Sequence, residues 1–226
     1  MTTASQYELR NAIVGVYQEL SRLGLNVAAT GNVSARSGDA MLITPTGCSA
    51  ETLKPTDIVA TGFDGTGTGK LKPSSEWAMH AEIYARVPAA HAVVHAHADH
   101  CVALSCTREP IPAFHYMVHA FGGEDVPCVA YHPFGTRELG AAAGAALAAR
   151  SACLLANHGM LVRGATLRGA LDSAILLETL ARQYVLALSI GKPALLTGEE
   201  MADVARRFAD YGRQPRPRAK TRWQVP

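Results

Sequence analysis

The stretch Val93-Val94-His95-Ala96-His97-Ala98-Asp99-His100 constrains this chain most, because an apolar run leads straight into two histidines spaced by one. Side chains along a strand alternate between faces with period two, so His95 and His97 point one way while Val94, Ala96 and Ala98 point the other. Two imidazoles on one face are half a metal site. Nine histidines in 226 residues give about a third of one such pair by chance, so the spacing carries weight only with a third ligand.

That third ligand is read at His158, which follows the apolar run Cys153-Leu154-Leu155-Ala156 and precedes Gly159. A buried strand ending in Asn-His-Gly delivers a side chain at a sheet edge, where the chain turns. Three neutral imidazoles with one position left open form the pattern of catalytic zinc, whereas structural zinc is usually closed by cysteines. The five cysteines, Cys48, Cys101, Cys106, Cys128 and Cys153, are scattered with no Cys-x-x-Cys pair. They predict neither a disulfide framework nor a zinc knuckle, but small buried apolar residues in a reducing compartment.

A chain of 226 residues fits one domain that buries about 70% of its unfolded surface. The expected division is a single domain over 1–212 and a tail over 213–226. The net charge of +2 is unevenly spread, since Arg213, Arg216, Arg218, Lys220 and Arg222 stand in that tail with no acid. The remainder holds 16 bases against 19 acids, which argues against a nucleic-acid surface. Met1 to Ser5 shows no apolar leader, and the apolar stretch 167–190 carries Asp172, Glu178 and Arg182. The expectation is a cytoplasmic protein with no membrane partner.

In order, Ser5-Gln6-Tyr7-Glu8 has capping-box spacing, and Leu9, Ile13, Val16, Leu20 and Leu23 then recur at three and four before Gly24. From 26 to 69 the chain turns to short β-rich pieces, with strands predicted at 41–44 and 57–60. Gly31-Asn32-Val33-Ser34 and Thr44-Pro45-Thr46-Gly47 read as turns, either plain hairpin corners or nests that surround an anion with amides and hydroxyls. Lys72-Pro73-Ser74-Ser75-Glu76 predicts the mouth of a helix reaching Val87. Serines there cap orphan amides, and the same geometry binds phosphate. Glu76, in that first turn, is a dipole partner or, beside a metal, a candidate general base. Helices follow at 99–105, from Thr136 to 150, at 167–190, and from the cap Thr197-Gly198-Glu199-Glu200 to about 210; strands are expected at 126–131, before His158 and at 160–163. His115 and His119 have helix-face spacing without an evident third ligand. The order of elements predicts an α+β or three-layer fold with a mostly antiparallel sheet between helices.

Gly31 to Ser34, Met41 to Gly47, Ser74-Ser75-Glu76-Trp77, Val93 to His97, Ile111 to Met117, Phe134 to Leu139 and His158-Gly159 together resemble, in order, the class II aldolase and adducin-head family. The resemblance reaches from the first helix to about Tyr211. It implies a three-layer α/β/α fold with a central, mainly antiparallel sheet, in a homotetramer with sites between subunits. It implies a Zn2+ ion, with Mn2+ or Co2+ as alternatives, on His95, His97 and His158, and Glu76 as acid/base and fourth ligand when substrate is absent. Asn32, Thr46, Gly47, Ser74 and Ser75 take the place of a phosphate cradle. Tyr116 takes that of a proton donor lent by a neighbouring subunit, Phe134 that of an apolar wall, and Tyr211 that of a tail residue closing over the site. The implied reaction is cleavage of a ketose 1-phosphate resembling L-fuculose 1-phosphate to dihydroxyacetone phosphate and an aldehyde such as L-lactaldehyde. An epimerase, dehydratase or decarboxylase of sugar phosphates on the same residues is the alternative, and a non-catalytic adducin-like scaffold is another. Ala28-Ala29-Thr30 and His132-Pro133 fall where members of the family vary, which leaves the aldehyde half open.

Overall fold

One eight-stranded sheet runs through the middle of the molecule, and its order explains where the histidines meet. The computed structural model describes residues 3–210. Helix α1 (Thr3–Arg22) precedes strands β1 (Asn32–Ser37), β2 (Ala40–Ile43), β3 (Val59–Gly62) and β4 (Gly67–Thr68). Helix α2 (Trp77–Arg86) leads to β5 (Ala92–Ala96) and α3 (Asp99–Ser105). Then come β6 (Cys128–Val129), α4 (Arg137–Ala149), β7 (Ala152–Leu155), β8 (Gly159–Gly164), α5 (Leu167–Ile190) and α6 (Gly198–Phe208). The strand order is β4-β3-β2-β1-β5-β8-β7-β6, antiparallel throughout except for the parallel edge pair of β6 and β7.

All five residues of β5 are buried, so both faces of the central strand are covered. Val94 and Ala96 join Val33, Leu42, Leu154, Met160 and Val162 in a core with side chains of α1, α3 and α5. Val93 joins Met41, Ile43, Leu155 and Leu161 in a second core beneath α2 and α4. Helices α2 and α4 approach closely because Gly140 carries no side chain. A Cβ there would stand 3.0 Å from the Ala78 carbonyl. That contact pins the mouth of α2 against the sheet.

Helix α5 is long and apolar enough to cross a membrane by composition alone. It is instead packed into the first core through Ala170, Leu171, Ala174, Leu177, Leu180 and Ala181, with Glu178 turned to the N-terminus of α3.

Several expected segments are corrected. Asn32 to Ser34 is a strand, not a turn, lying in β1 between β2 and β5. Its polar residues find partners inside the sheet's α2 side, which removes the need for a corner. The strand expected at 126–131 shrinks to Cys128–Val129 at the sheet edge, where Pro127 has no N–H to donate. Helix α1 starts before Ser5, and β3 starts only at Val59, after a 3-10 turn over Pro55–Asp57. Helix α2 begins at Trp77, with Glu76 as its N-cap and not in its first turn. The reason is local: the Ser74 hydroxyl accepts the Glu76 amide at 3.3 Å, and the Ser74 carbonyl accepts the Trp77 amide at 3.1 Å. All five cysteines are free, but only Cys101 and Cys153 are buried; Cys48 and Cys128 are half-buried and Cys106 is exposed.

Candidate active site

His95 is the last histidine inside β5 and pairs across the sheet with Asn32 of β1 and Leu161 of β8. His97 follows one residue past the strand end, on the same side by alternation. His158 stands on the tight turn joining β7 to β8, the neighbour of β5. Its place is fixed on three sides. Its amide donates to the Ser105 hydroxyl at 3.2 Å and the Leu155 carbonyl at 3.0 Å. Gly159 then lets the turn pass against β5, since a Cβ at that position would lie 2.6 Å from the Ala96 carbonyl oxygen.

The ligand nitrogens of the three rings lie within 4.8 Å of one another. His95 turns Nδ1 to the Met160 carbonyl at 2.8 Å, which leaves Nε2 facing His97 Nε2 at 3.0 Å. Glu76 closes the group, with Oε2 at 3.2 Å from His95 Nε2 and Oε1 at 3.3 Å from His158 Nε2. A tetrahedral ion with bonds of about 2.0 Å spaces its ligand atoms by roughly 3.3 Å, so the donor set and its spacing suit a divalent metal. Glu76 Oε1 is buried with no hydrogen-bond partner among the described residues, as a carboxylate oxygen reserved for an ion or a proton would be.

The electrostatics agree. Burial pushes the Glu76 carboxyl up, but the charge and hydrogen bond of His95, with His158 and Asn32, hold it well below the usual carboxylate range. Burial and the neighbouring His95 lower both His97 and His158 to about 4. Imidazoles that stay neutral are imidazoles that can bind metal. For His95 burial opposes the charge, yet Glu76 outweighs it and the pKa rises.

Above this cluster opens a cavity of about 330 Å³. It is lined by Asn32, Thr46, Gly47, Ser74 and Ser75, by Glu76, His97 and His158, and by Tyr131, His132, Phe134 and Asn157. Residues from six separate stretches of sequence therefore meet around one cavity. The bridge between Pro45 and Pro73 and the bonds from Thr46 N–H to the Lys72 carbonyl and Ser74 N–H to the Thr44 carbonyl join the two halves of the cradle. The Ser74 hydroxyl accepts from Glu76 and keeps its own proton to donate.

Two expected residues are not brought in. Tyr116 does not line this cavity; it stands 49% exposed on a 3-10 helix over Tyr116–Phe121, stacked on His115. Tyr211 lies outside the described residues. The His115 and His119 pair gains no third ligand among the described residues; His115 Nδ1 accepts the Met117 amide and His119 packs on Phe208.

Three residues behind the site went unread in the sequence. His80, Ser34 and Tyr84 are buried and hydrogen-bonded in series to Asn32. The available signals were the i, i+4 spacing of Glu76 and His80, and of His80 and Tyr84, with the period-two spacing of Asn32 and Ser34.

Comparison with known proteins places the chain in a family. Residues 11–185 match the family described as the class II aldolase and adducin N-terminal domain. The chain is 46% identical over 208 residues to a 5-methylthioribulose-1-phosphate/5-deoxyribulose-1-phosphate aldolase of Rhodospirillum rubrum, covering 92% of this chain and 94% of that one. It is also 46% identical over 209 residues to an L-fuculose phosphate aldolase of Escherichia coli (strain K12), covering 91% and 96%. Among solved structures, an L-fuculose 1-phosphate aldolase superposes with a TM-score of 0.85 at 35% identity, over 89% of this chain and 96% of that chain.

Proposed function

Since the chain belongs to the class II aldolase and adducin N-terminal domain family, we propose that it cleaves a ketose 1-phosphate to dihydroxyacetone phosphate and a short aldehyde. The observation that carries this reading is the convergence of three imidazoles and Glu76, with His97, His158 and Glu76 lining the same cavity as Asn32, Thr46, Gly47, Ser74 and Ser75. His95, His97 and His158 would hold a divalent ion, zinc by the donor set, which would supply Lewis acidity to the negative charge that retro-aldol cleavage develops.

Every other part is assigned to the chain. Thr46, Gly47, Ser74 and Ser75, with Asn32, hold the phosphate and so fix the sugar's first carbons over the imidazoles. Glu76 exchanges the proton at the hydroxyl-bearing carbon on the other side of the ketone from the phosphate-bearing end, the carbon that loses its bond to the aldehyde half. Tyr116, presented by a second subunit of a homotetramer, transfers the proton at the oxygen that becomes the aldehyde. Its exposure on one subunit and its distance from the cavity lining support that placement. Phe134 and Tyr211 close the outer wall, and the enzyme works in the cytoplasm.

The aldehyde half is open, because relatives of equal identity carry three substrate names between them, 5-methylthioribulose 1-phosphate and 5-deoxyribulose 1-phosphate for one and L-fuculose phosphate for the other. L-fuculose 1-phosphate ends in a methyl group, and so does 5-deoxyribulose 1-phosphate; the rings of Tyr131 and Phe134 in the cavity lining offer apolar surface to either. Incubating the zinc-loaded protein with each sugar phosphate and assaying dihydroxyacetone phosphate separates them by kcat/KM. Release of epimer, dehydration product or CO2 in its place overturns the aldolase reading.

A further inference from the structure

Behind Glu76 the structure holds a file of four buried side chains whose hydrogen bonds have one permitted direction. The Asn32 Nδ2 donates to Glu76 Oε2 at 3.0 Å. Its carbonyl oxygen, an acceptor only, meets His80 Nε2 at 2.5 Å. His80 Nδ1 lies 2.7 Å from the Ser34 hydroxyl, which lies 2.7 Å from the Tyr84 hydroxyl. Asn32, Ser34, His80 and Tyr84 are all buried, so each polar atom depends on its neighbour in the file.

The donor and acceptor roles follow without choice. Asn32 Oδ1 must receive a proton, so His80 carries its single proton on Nε2. Its Nδ1 lone pair must then receive the Ser34 O–H. The Ser34 oxygen, having given its proton, receives the Tyr84 O–H. Every dipole in the file points toward the Glu76 carboxylate, and hydrogen bonds aligned this way reinforce one another. The other carboxylate oxygen, Oε1, is left without a hydrogen-bond partner among the described residues.

We propose that His80 is a positioning residue: through the orientation it imposes on the Asn32 amide it ties down Glu76 Oε2 and leaves Oε1 as the oxygen that takes and returns the substrate proton. The function rests on the aldolase reading above; the direction of the file does not. Without the Nε2–H donor, the Asn32 amide turns over as easily as not, and an amide oxygen facing a carboxylate pushes it out of place. Helix α2 supplies both ends of this control, because Glu76 at its N-cap and His80 one turn later share a face. Strand β1 supplies the middle, with Asn32 and Ser34 on one face.

The test has two arms on the metal-loaded protein. In the first, nitrogen-15 histidine spectra of the native chain give the His80 tautomer; a proton on Nε2 with Nδ1 bare is expected, and a proton on Nδ1 overturns the proposal. In the second, His80→Leu is compared with His80→Gln, whose amide can still donate to Asn32. The expected result is a fall in kcat of about tenfold or more for His80→Leu, KM within about threefold of native, and unchanged metal content, with His80→Gln recovering most of the loss. Equal losses in both variants, or none in either, overturn the positioning role. If His80→Leu does not fold, Ser34→Ala takes its place, with an expected loss of several-fold in kcat and a shift of the His80 spectrum toward the Nδ1–H form. Should the native chain cleave no ketose 1-phosphate, the aldolase reading has failed, and the tautomer arm still decides the direction of the file.

Discussion

In the proposed reaction Glu76 carries two demands that pull against each other: it must stay ionised among histidines and remain free to take a proton from carbon. Its geometry meets both by dividing its oxygens, one held by Asn32 and one facing His158. Glu76→Gln keeps the shape and removes the base. Turnover is expected to fall about a hundredfold or more while metal content stays native, checked by steady-state kinetics with elemental analysis. Behind it, His80 is fully buried, and burial together with the nearby His95 lowers its pKa to about 3, against the pull of Glu76. Above about pH 6.5 it is neutral in folded and unfolded chains alike and costs nothing. Between that pH and about 3 the unfolded chain takes the proton and the folded chain does not, so stability falls as pH falls. The contribution is on the order of 4–5 kcal/mol across the full window. Melting temperatures of the metal-loaded protein from pH 7 to 4.5 should fall more steeply than those of His80→Gln, and parallel slopes would contradict this.

Elements place these residues by their ends more than by their lengths. Helix α3 starts two residues after His97, and its first turn is held by Glu178 of α5, which accepts the His100 and Cys101 amides at 3.1 and 3.0 Å and pairs with His100 Nδ1 at 2.6 Å. Glu178→Ala is expected to cost about 1–3 kcal/mol in urea unfolding and to weaken metal affinity, because the corner after His97 loses its clamp. Loss of stability with unchanged affinity would confine Glu178 to capping. The long periodic helices and the apolar strands were legible because their patterns repeat, and so was the clustering of three histidines, because strand alternation put His95 and His97 together and an Asn-His-Gly turn marked His158. Strand β1 was not legible. Its polar Asn32 and Ser34 mimic a turn, and only the β5 register and His80 show why polar side chains belong inside. The start of α2 was misplaced for a similar reason, since the Ser74 hydroxyl satisfies the Glu76 amide one step before the helix proper.

For the whole molecule, a single chain holds the imidazoles, Glu76 and the cradle but leaves Tyr116 outside the cavity, and Phe134 stands 74% exposed in its lining. Tyr116, Phe134, Leu186, Leu188 and Ile190 are large apolar side chains facing outward, as residues that meet another copy would be. If sites lie between subunits, Glu76→Gln and Tyr116→Phe proteins, each nearly inactive, should regain activity when unfolded together and reassembled, because some sites then carry both native groups. No recovery would place the proton donor within one subunit.

The most direct measurement is the release of dihydroxyacetone phosphate by the zinc-loaded protein from L-fuculose 1-phosphate and 5-deoxyribulose 1-phosphate, before and after chelation. Cleavage of at least one, abolished by the chelator and restored by zinc, is the predicted result. Undiminished cleavage without metal, or none of either sugar phosphate with the site loaded, would contradict it.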